Sequence, residues 1–158
     1  MIIRSASEAD VPEILNLIQH LADYENLSHE VVATEDKLRQ TLFGEKPYAE
    51  VLMAESNDGQ VAGFALFFHN YSTFLGQPGI YLEDLCVLEE YRGQGIGMAL
   101  LKHLAKLCVE RDCGRLEWSV LDWNVDAIRF YESHGAELMK EWIINRLTGD
   151  SLTKLAES

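Results

Sequence analysis

The residues with the types and spacing to do chemistry fall into two groups. The first is Arg92-Gly93-Gln94-Gly95-Ile96-Gly97-Met98, which follows a strand-like run from Ile80 to Leu88 and opens a helical pattern. A glycine turn between strand and helix is how a chain grips a phosphate. Glycine lets the backbone come close to the ligand, and the first N–H groups of the helix lie unpaired at the positive end of its dipole. Arg92 adds a cation for charge-assisted bonds. Met98 stands where a dinucleotide fingerprint needs its last glycine, and no G-K-[ST] completes a P-loop. What fits is Arg92-x-x-Gly95-x-Gly97, which alone is equally consistent with glycines that serve only the turn.

The second group is Glu83, Asn124 and Tyr131. Strict alternation puts Glu83 on a pleat face with Tyr81, Leu85 and Val87. A carboxylate in an apolar strand is raised in pKa or paired, so Glu83 reads either as a base or as half of a salt bridge. Asp84 points to the opposite face unless a bulge intervenes. Tyr131 follows Asn124 by seven residues, two helical turns, so both project to roughly the same side. A phenol can protonate a leaving thiolate, or it can be an ordinary core aromatic. Asn124 can cap a helix, bond a ligand, or do both.

The rest of the composition narrows the function. The 158 residues suit one domain spanning 1–158. Asp and Glu number 26 against 13 Lys and Arg, giving −13. That balance repels nucleic acid and attracts small basic substrates. No apolar run approaches the roughly 20 residues needed to cross a bilayer, and the start MIIRSASEAD lacks a signal-peptide pattern, so a cytoplasmic protein without membrane or nucleic-acid partners is expected. The three cysteines form no C-x-x-C pair and the five histidines are scattered, so no metal site is expected.

The elements that must position these groups read in order as β α α β β β α β α β. Ile2-Ile3 opens a strand. Residues 8–24 form an amphipathic helix started by Ser7, and Thr34 caps a second over Glu35–Leu42. Val51–Glu55 and Val61–His69 flank an Asn57-Asp58-Gly59 hairpin turn. Asn70–Gly79 reads as a loop. Strand Ile80–Leu88, the glycine turn, helix Gly97–Arg111 stopped by Cys113-Gly114, and strand Arg115–Leu121 make a βαβ unit. A short helix runs from Asn124 to about His134, ended by Gly135. Leu138–Leu147 reads as a final strand or pair, and the remainder as a polar tail. The fold class is α/β (α+β), a mixed, mostly antiparallel sheet flanked by helices around a central βαβ unit.

Four local strings carry a resemblance. They are Leu21-Ala22-x-Tyr24-Glu25; Phe43-Gly44-x-x-Pro47; Tyr81-Leu82-Glu83-Asp84 with Tyr91-Arg92-Gly93-x-Gly95-Ile96-Gly97; and Leu121-Asp122-Trp123-Asn124 with Phe130-Tyr131 and Gly135-Ala136. Together with the element order they resemble the GNAT superfamily of N-acetyltransferases. The branch is that of the diamine acetyltransferases, the spermidine/spermine enzyme and its thialysine-acetylating relatives. The resemblance implies acetyl-CoA as cosubstrate, held by Leu85, Cys86, Val87, Arg92, Gly93, Gln94, Gly95, Ile96, Gly97, Met98, Asn124, Ala127 and Tyr131. It implies Tyr131 as general acid to the coenzyme sulfur, Glu83 as the group drawing the amine proton directly or through water, and a bulge near Asp84. Candidate walls for a small cationic amine are Tyr24, Glu25, Glu83, Trp118, Asp122 and Glu141. For Glu25 and Glu141 a solvated surface charge fits as well, and Trp118 fits a core position. A homodimer is also implied. The alternatives are a protein or peptide N-acetyltransferase and a non-catalytic acetyl-CoA sensor.

Overall fold

A computed structural model describes residues 1–158. Residues 1–119 form one compact unit and residues 120–158 a second. The first unit holds a single sheet of β1 (Ile2–Ser5), β2 (Glu50–Glu55), β3 (Val61–Ser72), β4 (Gln77–Val87) and β5 (Leu116–Trp118), ordered β1-β2-β3-β4-β5. The first three junctions are antiparallel and β4–β5 is parallel. Helices α1 (Val11–Tyr24), α2 (Glu35–Phe43) and α3 (Ile96–Glu110) belong to the same unit. The second unit holds α4 (Val125–Ser133) and α5 (Gly149–Glu157). The expected mixed sheet with its βαβ unit, β4–α3–β5, is present.

The sheet has two packed faces. On one, Val51, Met53, Phe64, Cys86 and Leu88 meet Val11, Ile14 and Leu17 of α1 and Leu38 and Leu42 of α2. The helical spacing of those apolar residues puts them on one stripe, so burial against the sheet holds both helices in place. On the other face, α3 buries Leu100, Leu101 and Leu104. Residues on that face of the sheet include Ala65, Phe67, Ile80 and Leu82, all buried.

Local chemistry sets the ends. Thr34 Oγ1 accepts from Lys37 N–H at 3.2 Å and caps α2. α3 stops at a non-glycine residue, Asp112, with φ 55°. Cys113 N–H then bonds Cys108 C=O at 2.8 Å and Asp112 N–H bonds Val109 C=O at 3.3 Å, a Schellman closure. The stop expected from Gly114 therefore comes two residues earlier. Gly114 serves packing, since a Cβ there would lie 2.6 Å from Leu75 Cδ1. Gly135, at φ 91°, ends α4 as expected.

Three expected elements differ. Asn70–Gly79 is mostly strand, with the reversal confined to the residues between Ser72 and Gln77 and Gly76 at φ 64°. Gly79, read as a loop glycine, sits inside β4, where a Cβ would stand 2.4 Å from Asn70 Oδ1. Leu138–Leu147 forms no strand, and the polar tail contains α5. The strand expected over Arg115–Leu121 is three residues long.

The first helix is tied to the sheet edge by charge. Arg4 Nη1 and Nη2 donate to the two carboxylate oxygens of Asp10, each at 2.8 Å, and Ser7 N–H donates to Asp10 Oδ2 at 2.8 Å. The Arg4 guanidinium, and secondarily the Ser7 amide, hold the Asp10 carboxyl down to about 2 from an ordinary 3.8. A depressed carboxylate stabilises the fold above its unfolded pKa and loses that contribution as pH falls through the folded value. Asp10→Asn is expected to cost about 2 kcal/mol near neutral pH in urea unfolding, and the gap between variant and parent closes as pH falls from 3.8 toward about 2.

Candidate active site

The glycine turn lies where the sequence puts it. After Val87 the chain makes one 3-10 turn at Glu89–Tyr91 and passes through extended Arg92. Gly93 (φ 77°) and Gly95 (φ 79°) follow, and α3 begins at Ile96. Those two positive φ values are what require glycine, because a Cβ at either position would meet nothing within 4 Å. Gly97 is in the helix, with only Val87 Cγ2 at 3.8 Å from its Cβ position. The first helical bond is Ala99 N–H to Gly95 C=O at 2.9 Å. The N–H groups of Ile96, Gly97 and Met98 thus precede the helical ladder and have no acceptor within it. Tyr91 Oη donates to Asp58 Oδ2 at 3.3 Å, bracing the turn on the β2–β3 hairpin.

Beside the turn, β4 changes character. Leu66 pairs with Asp84 but Phe67 pairs with Leu82, so Glu83 is an extra residue, the bulge the family resemblance implied. The bulge reverses the pleat. Tyr81, opposite Phe68, and Asp84, opposite Leu66, share the α1 face with Cys86, whereas Leu85 turns to the α3 face. The single face expected for Tyr81, Glu83, Leu85 and Val87 is therefore broken at Glu83. β5 leaves at the same point. Its register with β4 covers only Ile80–Leu82 against Leu116–Trp118, so the outer edge of β4 from Glu83 to Val87 has no strand along it. Alternate N–H groups there, in the run that includes Leu85, Cys86 and Val87, are left for another partner.

The carboxylates gather at this bulge. Glu83 is exposed, while Asp84 is partly buried. Burial raises the Asp84 carboxyl to about 6, with further upward pushes from the Glu83 and Glu25 charges. Glu25, just past α1, is also raised by burial. Asp84 is the residue that sequence reasoning passed over; the adjacent pair Glu83-Asp84 was the available signal, and the bulge decides which of the two turns inward. Burial likewise pushes the Cys86 thiol up to about 11.

Arg92 closes this corner. Its Nε donates to Val87 C=O at 3.1 Å, and its guanidinium lies 5.2 Å from the centre of the Tyr24 ring. Tyr24, Glu25, Glu83, Asp84 and Arg92 thus converge at the carboxyl end of β4, where open α/β sheets take ligands. Trp118 is half-buried on β5, beside Leu82.

Asp122, Asn124, Ala127, Tyr131 and Glu141 belong to the second unit. Asn124 Oδ1 accepts from Ala127 N–H at 3.4 Å, so the capping role is formed. Tyr131 is half-buried on α4 with an edge-on ring contact to Phe130, centroids 5.5 Å apart. Asp122 and Glu141 are exposed.

Comparison with known proteins adds the decisive finding. The model of the acetyltransferase (GNAT) family matches residues 14–136. The chain belongs to the GNAT acetyltransferase family. It is 41% identical over 166 residues to the thialysine N-epsilon-acetyltransferase of Bos taurus, covering 99% of this chain and 97% of the relative. It is 39% identical over 194 residues to an L-ornithine N5-acetyltransferase of Arabidopsis thaliana, covering 95% and 85%. Among solved structures, an integron cassette protein from the mobile metagenome of V. cholerae superposes with a TM-score of 0.83 at 30% identity, covering 99% and 98%.

This GNAT protein is an N-acetyltransferase of the branch that the four strings resembled. Its family takes the acetyl group from acetyl-CoA, and the turn suits that cosubstrate's diphosphate. Three leading helix N–H groups, two positive-φ glycines and one arginine are the parts such a group needs.

The raised Asp84 carboxyl has a cost that can be read directly. A carboxyl raised on folding lowers stability as pH climbs from its unfolded value through its folded one. Asp84→Asn is therefore expected to make the GNAT fold more stable than the parent by about 3 kcal/mol above pH 7, with the difference vanishing as pH drops from about 6 to the ordinary 3.8. Paired urea titrations at the two extremes give the sign.

Proposed function

We propose that this enzyme moves an acetyl group from acetyl-CoA to the primary amine of a small cationic substrate, best represented by an amino acid with a terminal side-chain amine. The convergence of Glu25, Glu83 and Asp84 at the bulge carries this reading. Three acidic side chains at the carboxyl end of β4 favour an ammonium group over a neutral or acidic ligand. The thialysine and ornithine acetyltransferases among the relatives take substrates of that kind by name. Polyamines and peptides are the competing substrates, and the assay below separates them.

Acetyl-CoA supplies the activated thioester. The remaining work falls to side chains and backbone. Ile96, Gly97 and Met98 N–H groups and Arg92 hold the diphosphate, and the open edge of β4 at Leu85–Val87 binds the arm and the thioester oxygen. Glu83 takes the amine proton, directly or through water, which frees the lone pair for attack. Asp84 holds the ammonium beforehand, and the incoming cation lowers its raised carboxyl. Tyr131 gives a proton to the departing sulfur, and Asn124 and Ala127 line the coenzyme side of α4 in the same reading. Tyr24 and Trp118 line the amine pocket in the first unit, and Asp122 and Glu141 are the substrate-binding candidates of the second. Direct transfer in a ternary complex is supported by Cys86: a buried thiol pushed up to about 11 is a poor nucleophile.

Both units act as one cytoplasmic acetyltransferase domain in this proposal, paired as a homodimer. The support for pairing is the apolar run Trp142-Ile143-Ile144 in the second unit, 74%, 82% and 73% exposed. An apolar run this open is a natural interface between copies.

The test is a panel of ornithine, thialysine, diamines, spermidine and lysine peptides, read as thiol release from acetyl-CoA. Amino acids with a side-chain amine should give the highest kcat/KM. Tyr131→Phe should lower kcat by about 10²–10⁴-fold. Intact-mass detection of an acetylated enzyme during turnover would overturn direct transfer. Light scattering of the parent and of Ile143→Glu tests the dimer, which predicts a shift to monomer in the variant alone.

A further inference from the structure

Two cysteines lie outside the transfer chemistry. Cys108 closes the buried stripe of α3 and is 7% exposed, whereas Cys113 follows the helix and is partly exposed. They sit near the end of α3 opposite the glycine turn, about 20 Å along a helix of this length.

The helix terminus brings them to neighbouring positions. In a Schellman closure the sixth residue bonds back to the first, and a contact between the side chains of those two positions frequently accompanies it. Here the first position is Cys108 and the sixth is Cys113, joined by the 2.8 Å bond from Cys113 N–H to Cys108 C=O. Asp112 at φ 55° holds the reversal that makes this possible. The thiols interact: the Cys113 side chain, after burial, is a further cause of the upward push on the Cys108 thiol. A direct backbone bond between two residues keeps their Cα atoms within the range of about 4.4–6.8 Å that a disulfide spans. Cys86 is elsewhere, buried on β4 in the α1–α2 core.

We propose that Cys108 and Cys113 form a reversible oxidation site, closing to an intrachain disulfide when the protein meets a low-molecular-weight disulfide such as oxidised glutathione. The more exposed Cys113 reacts first: its thiolate attacks one sulfur of the oxidant, forms a mixed disulfide, and releases one thiol. Cys108 then gives up its proton and attacks the Cys113 sulfur, and the second thiol leaves. Two protein thiols and one small disulfide become one protein disulfide and two small thiols. The protein is oxidised by two electrons, and the oxidant is reduced by the same two. The raised Cys108 thiol makes this second step the slower one near neutral pH and faster as pH rises.

Trypsin offers a direct readout, because it cuts after Arg111 and places the cysteines on separate peptides, Leu107–Arg111 and Asp112–Arg115. The full-length protein is incubated with oxidised glutathione, its remaining thiols are alkylated, and the digest is weighed. The two peptides should stay joined, with a mass lower by two hydrogens than their sum, and separate on treatment with dithiothreitol. Cys86 should carry the alkyl group. Cys113→Ser should abolish the joined species, and Cys108→Ser should stop at glutathione attached to Cys113. A parent digest showing glutathione on Cys113 without the joined peptides overturns the proposal, as does a link to Cys86 or between two chains. Because the Cys113 side chain is only partly buried, its serine variant keeps the test decisive even where the Cys108 variant fails to fold.

Discussion

β4 gains one residue that β3 does not match, and much of the first unit follows from that mismatch. Before Glu83 the strand presents Ile80 and Leu82 to the α3 side; after it, Asp84, Cys86 and Leu88 face α1 and α2. A regular strand would have sent Asp84 to the α3 side with Ile80 and Leu82. Instead the carboxyl sits beside Glu25 at the end of α1, where desolvation and two neighbouring negative charges act on it. The parallel neighbour β5 departs at the same residue, so the stretch with displaced side chains is also the stretch with an unpaired backbone edge. Bulges are placed where a strand must re-aim a side chain and end its pairing, and both happen here.

The energetic logic runs against stability at that point and with it elsewhere. Phe64, Phe67, Met53 and Ile80 are essentially inaccessible to water, and each such side chain contributes about 1.5–3 kcal/mol through burial. That core offsets the penalty of holding Asp84 raised near Glu83 and Glu25. The contrast with Asp10 is instructive. Both are partly or wholly shielded carboxylates, yet Asp10 has the Arg4 fork, whereas Asp84 is desolvated and sits beside the like charges of Glu83 and Glu25. A carboxylate with its own cation holds the fold; one pressed against its own kind is ready for a cation from outside.

Most of the first unit was legible because its signals are local. The Ser7 and Thr34 helix starts, the Asn57-Asp58-Gly59 turn and the Gly93–Gly95 turn each have one cheap backbone solution, and the structure adopts them. The β3–β4 hairpin was not legible, because Pro78 and Gly79 carry loop signals. Gly79 is there for the close approach of Asn70, a tertiary reason that no window of sequence displays. The bulge could be expected only from family resemblance, since strict alternation gives Glu83 the wrong neighbours. Leu138–Leu147 has strand-like composition, but composition does not supply a neighbouring strand to pair with, and the segment remains open backbone.

The stacking of Arg92 on Tyr24 joins two places that would otherwise be separate. The guanidinium belongs to the turn, and the ring belongs to the last residue of α1, next to Glu25. This contact thus joins the glycine turn to the corner where the carboxylates of Glu25, Glu83 and Asp84 gather. Whatever presses on the ring alters the freedom of the guanidinium, and whatever clamps the guanidinium steadies the ring. A ligand that shifts this contact from one side would change the affinity for a ligand on the other, and thermodynamic reciprocity makes any such coupling equal in both directions.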